Sequence, residues 1–169
     1  MDPFATLGLP ARFDLDEGVI RRAYLARVGA VHPDTGEGAG EEASILNEAR
    51  AVLSDPERRA NALVARLGGP SKEADRSLPD GFLARMMAVR EEVDADLARS
   101  GEAARRRWEG WAEEQRSEFE RRVGAMFAGL GDPPSVDGLR AIRTELNAWR
   151  YVERLIEQLD PQYDGLREA

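Results

Sequence analysis

A chain of 169 residues that is 42% hydrophobic and 33% charged has enough apolar side chains for one domain or two small ones. Its net charge of −8 argues against general nucleic-acid binding, which needs a basic surface. No apolar run reaches the roughly 20 residues that span a bilayer, and the N-terminus lacks the pattern of a signal peptide. The absence of cysteine excludes disulfides and thiolate metal sites. We therefore expect a cytoplasmic protein with no membrane partner.

Strand patterns are almost absent, and long periodic segments separated by Gly and Pro predict an all-α protein. The first long segment, residues 18–31, follows Asp14 and Glu17, which have the spacing of a capping box. Its apolar stripe comprises Val19, Ile20, Ala23, Tyr24, Val28 and Val31. The same segment carries no acid and three arginines, Arg21, Arg22 and Arg27. This basic helix is a candidate docking surface for an acidic partner.

The tripeptide His32-Pro33-Asp34 follows this helix, and His32 is the only histidine of the chain. Pro and Asp are ordinary turn residues, so a plain turn is one interpretation of the tripeptide. Residues 41–53 then predict a second helix, with Leu46, Ala49 and Leu53 on one face. Ser54-Asp55-Pro56 ends that helix and starts another, because proline is tolerated in a first helical turn.

The order of helix, His-Pro-Asp, helix and the "NEA-x-x-VLSDPE-x-R" run from Asn47 resembles a J domain, the module by which J-type co-chaperones act on DnaK-class ATPases. The opening residues 2–9 resemble the start of such domains, and the resemblance extends to about residue 67. It implies a helical hairpin whose His32, Pro33 and Asp34 contact the chaperone. Arg21, Arg22 and Arg27 would supply electrostatic steering. Arg27 stands where the family usually has a core leucine.

A composition change at residues 68–79, which begin Gly-Gly-Pro-Ser, predicts a linker between units at 1–67 and 80–169. The second unit has three amphipathic segments, at about residues 81–100, 102–130 and 135–159. Short loops make sequential helices antiparallel, so we expect a C-terminal three-helix bundle. The aromatic stripes of its second and third helices are predicted to form its core.

The first helix of this bundle has two apolar side chains away from its main stripe. Phe82 and Met86 belong to the stripe, whereas Leu83 and Met87 lie roughly 100° and 140° around the helix from Phe82, with Glu91 at about 180°. Such residues indicate an exposed partner-binding patch. The alternative is a helix wedged between two others, which needs a wide apolar face.

Residues 81–94 resemble the "FLM-x-x-L-x-x-REEL" helix of HscB-type J proteins, which are dedicated to iron–sulfur cluster assembly. Residues 59–68 resemble the end of the J domain in the same family. This resemblance implies a C-terminal three-helix bundle that binds the IscU-like scaffold protein. The matching positions are Leu83, Met87, Glu91 and Tyr151.

The leading hypothesis is therefore a J-type co-chaperone that stimulates a DnaK/HscA-class ATPase and delivers an IscU-like scaffold protein to it. We expect no enzymatic activity, no cofactor and no metal site, because nothing in the sequence has the ligand spacing of a metal site. Two alternatives stay open: a J-domain protein with a different client, and an all-α adaptor with no chaperone partner. Self-association is neither indicated nor excluded by the sequence.

Overall fold

The computed structural model describes residues 1–30 and 39–157, and its regular elements are α-helices. They are α1 (Pro3–Leu7), α2 (Glu17–Ala30), α3 (Ala39–Ser54), α4 (Pro56–Arg66), α5 (Phe82–Ala128) and α6 (Val136–Glu157). The predicted all-α fold is confirmed. In the described ranges, no helix combines the length and the hydropathy that a membrane span requires.

Helix α1 is short, and both of its ends are fixed by particular residues. The Asp2 carboxylate accepts a hydrogen bond from the Phe4 N–H at 3.1 Å, and Pro3 occupies the first turn, where its missing N–H is tolerated. Gly8 ends the helix with φ of 68°, a left-handed conformation that glycine adopts without strain. These caps hold Phe4 and Leu7 in the core, where they are 1% and 2% exposed.

Helix α2 begins on a different cap from the predicted one. The carboxylate of Asp16 accepts a hydrogen bond from the Val19 N–H at 3.2 Å, so Asp16 is the capping residue. The predicted capping box of Asp14 and Glu17 is wrong, because Glu17 is already the first residue of the helix. The Glu17 carboxylate instead accepts a hydrogen bond from the Ser54 hydroxyl at 3.0 Å, which ties the start of α2 to the end of α3.

Helices α2 and α3 form the predicted hairpin. Ile20 of α2 is fully buried, and the Tyr24 hydroxyl donates to Asn47 Oδ1 of α3 at 2.7 Å. The predicted core face of α3 is confirmed, since its members are buried: Leu46, Ala49 and Leu53. The hairpin therefore packs its apolar sides together and leaves the outer side of α2 in solvent.

Helix α4 follows α3 directly, as predicted. The Asp55 carboxylate accepts a hydrogen bond from the Arg58 N–H at 2.9 Å, and Pro56 occupies the first turn. Ala60 and Val64 have no exposed surface, because α4 packs against α3 on one side and α6 on the other. The predicted boundary between the two units, residues 68–79, lies in the segment that joins α4 to α5 and stays a prediction.

Helix α5 consists of two arms, residues 82–100 and 102–128, which meet at Gly101 (φ 44°, ψ −116°). Phe82 of the first arm contacts Tyr151 of α6, and Arg116 of the second arm bonds Glu153, two residues further along α6. Phe82 and Arg116 would be roughly 50 Å apart in a straight helix. The chain therefore turns back at Gly101, and the two arms and α6 form the predicted three-helix bundle.

Aromatic side chains fill the interior of this bundle. Phe119 of the second arm stacks on Trp149 of α6, with ring centroids 5.9 Å apart and an interplanar angle of 10°. Both residues are 3% exposed. Apolar side chains from both predicted units also belong to one continuous cluster, which includes Phe4, Leu53, Val64, Ile142 and Trp149.

Glu57, in the first turn of α4, lies in an acidic environment at the contact with α6. Burial raises the pKa of Glu57, Arg150 opposes this, and the carboxylates of Asp55, Glu153 and Glu157 add to it, so that the net pKa is about 7. Arg150 also forms an ion pair with Glu157 at 2.7 Å, so its charge is shared between carboxylates. The native protein therefore binds a proton at Glu57 more tightly than the unfolded chain does.

Glu57→Gln should remove a pH dependence of stability. Folding raises the pKa of Glu57 from 4.5 to about 7. The contribution of the protonated carboxyl to the free energy of unfolding is therefore fully present below pH 4.5 and is lost as the pH rises through 7. We expect the variant to match the wild type near pH 4.5 and to be more stable by about 2 kcal/mol at pH 8, after allowance for screening by water. Urea unfolding at both pH values measures this, and a stability difference that does not grow with pH would contradict it.

Candidate functional site

The outer side of α2 carries cations without carboxylate partners in the described part of the chain. Arg21 and Arg22 are exposed, and neither forms an ion pair with a described residue. On the helix they lie roughly 100° and 160° away from the buried Ile20. Their charges are thus available to an acidic partner.

Arg27 lies on a different side of α2 from the other two arginines. Its helical position falls about 20° from that of Ile20, but the residue is exposed. A Cβ atom on Gly8 would lie 2.6 Å from Arg27 Nη2, which places the guanidinium against the end of α1. A cation at a helix C-terminus is stabilising. Arg27 therefore has an intramolecular contact that Arg21 lacks.

The tripeptide His32, Pro33 and Asp34 lies outside the described residues. The last described residue before it is Ala30, at the end of α2, and α3 begins at Ala39.

The hairpin also exposes apolar side chains that are not among the predicted binding residues. Leu25 and Val28 of α2 are 54% and 36% exposed, and Ile45 of α3 is 42% exposed. Val28 is a member of the apolar stripe predicted from the sequence, and the structure leaves it exposed. The helical angle could have identified Leu25, which lies about 140° from Ile20 and close to Arg21.

A second exposed surface lies on the first arm of α5. Leu83 and Met87 are 48% and 59% exposed, whereas Phe82 and Met86 are each 6% exposed. The two off-stripe residues are therefore not part of a wide buried face, and the wedged-helix interpretation does not describe this arm. Large apolar side chains at this exposure are typical of binding surfaces when they are adjacent.

Tyr151 of α6 lies beside the start of the same arm. Its ring meets the Phe82 ring edge-on, with centroids 5.9 Å apart and an interplanar angle of 90°, and the residue is 40% exposed. Phe82 is thus a buried support that holds Tyr151 next to the start of the first arm. Glu91 is exposed on that arm, about 12 Å along the helix from Leu83. We call Leu83, Met87, Glu91 and Tyr151 the α5/α6 patch.

The two candidate surfaces are on different parts of the fold. Helix α2 packs on α1 and α3, whereas the α5/α6 patch belongs to the bundle, which packs on α4. The structure thus brings the four predicted scaffold-binding residues onto the bundle and keeps the three arginines on the hairpin. The two candidate surfaces are therefore separate from each other.

Comparisons with known proteins match both parts of the chain. A family model for the DnaJ domain matches residues 2–62. A protein of Burkholderia multivorans named co-chaperone protein HscB homolog is 29% identical over 173 residues, covering 96% of this chain and 94% of its own length. A protein of the same name from Bordetella parapertussis is 29% identical over 167 residues, covering 94% of each chain.

Solved structures have the same fold. The chaperone HscB from Vibrio cholerae has a TM-score of 0.73 at 23% identity, covering 94% of this chain and 95% of its own. The human co-chaperone protein HscB has a TM-score of 0.74 at 21% identity, covering 94% of this chain and 80% of its own. The predicted arrangement of an N-terminal J domain followed by a helical C-terminal region is confirmed.

Replacing Arg27 should affect stability more than replacing Arg21. Arg27→Ala removes the guanidinium from the end of α1, and we expect the free energy of unfolding to fall by about 0.5 to 1 kcal/mol. Arg21→Ala removes an exposed cation with no described ion pair, and we expect a change of about 0.3 kcal/mol or less. Urea unfolding followed by circular dichroism compares the two, and equal losses would show that Arg27 has no special contact.

Proposed function

We propose that this chain, which matches a DnaJ domain model and is similar to HscB proteins over nearly its whole length, stimulates the ATPase of a DnaK/HscA-class chaperone and delivers an IscU-like iron–sulfur scaffold protein to it. The observation that carries the proposal is a DnaJ domain joined to a helix that exposes Leu83 and Met87. The chain would act in the cytoplasm and contribute no catalytic group of its own to ATP hydrolysis.

The hairpin would bind the chaperone. Arg21 and Arg22 would attract acidic side chains of the chaperone, and such charges raise association rates more than affinity. By resemblance to J domains, His32 and Asp34 would make the specific contacts, Asp34 with a chaperone arginine. A charge-assisted pair of this kind is roughly twice as strong as a neutral hydrogen bond. The contact would favour hydrolysis by binding one conformation of the chaperone better than another.

The α5/α6 patch would bind the scaffold protein. Leu83 and Met87 would enter an apolar depression on the scaffold, where burying each side chain contributes about 1.5 to 3 kcal/mol if it becomes fully desolvated. Tyr151 has an apolar ring and a hydroxyl that forms no hydrogen bond with a described residue, and a ring with a polar group is common in interfaces. Glu91, at the edge, would select a basic group on the scaffold.

Both partners bound to one chain would be close to each other. Binding the scaffold on the bundle and the chaperone on the hairpin turns their encounter into an intramolecular event, with an effective concentration set by the connecting structure. The co-chaperone would thereby raise the rate at which the chaperone captures this client. Stimulation should accordingly be larger when the scaffold is present.

Asp34→Asn should abolish most of the stimulation. The substitution keeps the size of the side chain and removes its charge, so we expect about a tenfold loss or more in single-turnover ATP hydrolysis by the chaperone. Asp80→Asn is a matched control, because Asp80 is an exposed acid outside the hairpin. Full stimulation by the Asp34 variant would refute the chaperone half of the proposal.

Truncating the α5/α6 patch should weaken scaffold binding without affecting the chaperone. For Leu83→Ala combined with Met87→Ala we expect about a tenfold or larger loss of affinity for an IscU-like scaffold, measured by calorimetry. Stimulation of the chaperone alone should be unchanged. Val136→Ala is the control, because Val136 is 65% exposed at the start of α6. Unchanged scaffold binding by the double variant would refute the client half.

A further inference from the structure

Two charged side chains are buried within the described ranges, and both lie where the hairpin region meets the bundle. Arg59 of α4 is 5% exposed and Arg143 of α6 is 4% exposed. A buried charge is unfavourable unless it is hydrogen-bonded. The hydrogen bonds of these arginines therefore show which elements each buried guanidinium joins.

Arg143 joins α6 to α4 and to the connecting segment. Its Nε donates to the carbonyl oxygen of Pro70 at 3.0 Å, and its Nη1 donates to Asn61 Oδ1 at 2.7 Å. Asn61 is itself oriented, because its Nδ2 donates to the Glu57 carbonyl oxygen at 2.9 Å. The guanidinium is planar with donors at fixed angles, so these bonds form in one relative position of the two helices.

Asn147 lies one turn further along α6 and binds a later part of the segment that connects α4 to α5. Its Nδ2 donates to the carbonyl oxygens of Asp75 and Ser77, both at 3.0 Å. Side chains of α6 therefore bind three backbone carbonyls of the segment between α4 and α5. A Gly-Gly-Pro sequence on its own would be expected to allow motion, and these bonds restrict it.

Arg59 faces the bundle from the other side of the junction. Its guanidinium lies 5.2 Å from the centroid of the Phe13 ring, and Phe13 stacks on Phe127 of α5 with centroids 5.5 Å apart. Arg59 Nη1 also donates to the Leu53 carbonyl oxygen. The loop before α2, helix α4 and the second arm of α5 are thus packed together around one cation.

We propose that Arg143 is a positioning residue, which fixes the orientation of the hairpin relative to the α5/α6 patch, and that delivery of the scaffold to the chaperone depends on this orientation. The second part rests on the proposed function. A fixed orientation lowers the entropy that binding must remove and keeps the two partners at one separation. Arg143 touches neither partner surface, so it acts through the geometry of the junction.

The test compares Arg143→Met with Arg143→Lys and with Arg140→Met, an exposed arginine of the same helix. Because the chain has no cysteine, spin labels can be placed at two introduced cysteines, Ala51→Cys in α3 and Ala95→Cys in α5, both at exposed positions. Electron–electron double resonance then reports the distance between the hairpin region and the bundle. ATPase stimulation is measured with and without the scaffold.

We expect one narrow distance in the wild type and in Arg140→Met, and a distribution about twice as wide in Arg143→Met, with partial recovery in Arg143→Lys. The scaffold-dependent part of the stimulation should fall about fivefold in Arg143→Met. Stimulation without scaffold, and scaffold affinity, should change by less than about twofold. The separation of these readouts distinguishes positioning from a general loss of stability.

An unchanged distance distribution in Arg143→Met would overturn the proposal. A wider distribution with undiminished scaffold-dependent stimulation would overturn its second part. If the wild type shows no scaffold-dependent stimulation, the proposed function fails, and the distances alone decide whether Arg143 sets the orientation. If Arg143→Met does not fold, Asn147→Ala takes its place. This variant removes two hydrogen bonds to the connecting segment without deleting a buried charge, and its distances and stimulation are judged by the same criteria.

Discussion

Helix α4 is buried from two sides, and the positions of both candidate surfaces depend on this. Ala60 and Val64 have no exposed surface, since α3 packs on one side of the helix and α6 on the other. The chain passes close to this contact at Gly69, where a Cβ would lie 2.6 Å from Val64 and 3.3 Å from Leu139. With no space between them, α4 and α6 cannot separate without opening the apolar cluster. The hairpin and the bundle are therefore parts of one packed body.

The arginines of α5 and those of α2 differ in their ion pairing. On the second arm of α5, Arg116 and Arg122 form ion pairs with Glu153 and Glu145 of α6, each at 2.7 Å, so their charges are neutralised within the bundle. Arg116 donates three hydrogen bonds to the Glu153 carboxylate, and these bonds raise the pKa of Arg116. On α2, Arg21 and Arg22 form no ion pair with a described carboxylate. Ion pairs thus join the second arm of α5 to α6.

The helices and the exposed pair on α5 could be predicted from the sequence, because both depend on local periodicity. Phe82 and Leu83 differ by one helical step, and the structure buries the first and exposes the second. The position of Arg27 could not be predicted, since it depends on how closely α1 approaches α2. Nor could the bonds of Arg143, because Asn61 and Pro70 are far from it in sequence and become its neighbours through packing alone.

Arg21 and Arg22 of α2, which form no ion pair with a described residue, belong to a chain whose net charge is −8. An acidic partner is therefore repelled by the molecule as a whole at long range and attracted by α2 at short range. Salt screens the long-range repulsion first, because the Debye length falls to about 8 Å at physiological ionic strength. The association rate with such a partner would pass through a maximum as ionic strength rises, since further salt then weakens the local attraction. Within that range the repulsion would disfavour collisions in which such a partner approaches a face of the molecule other than the hairpin.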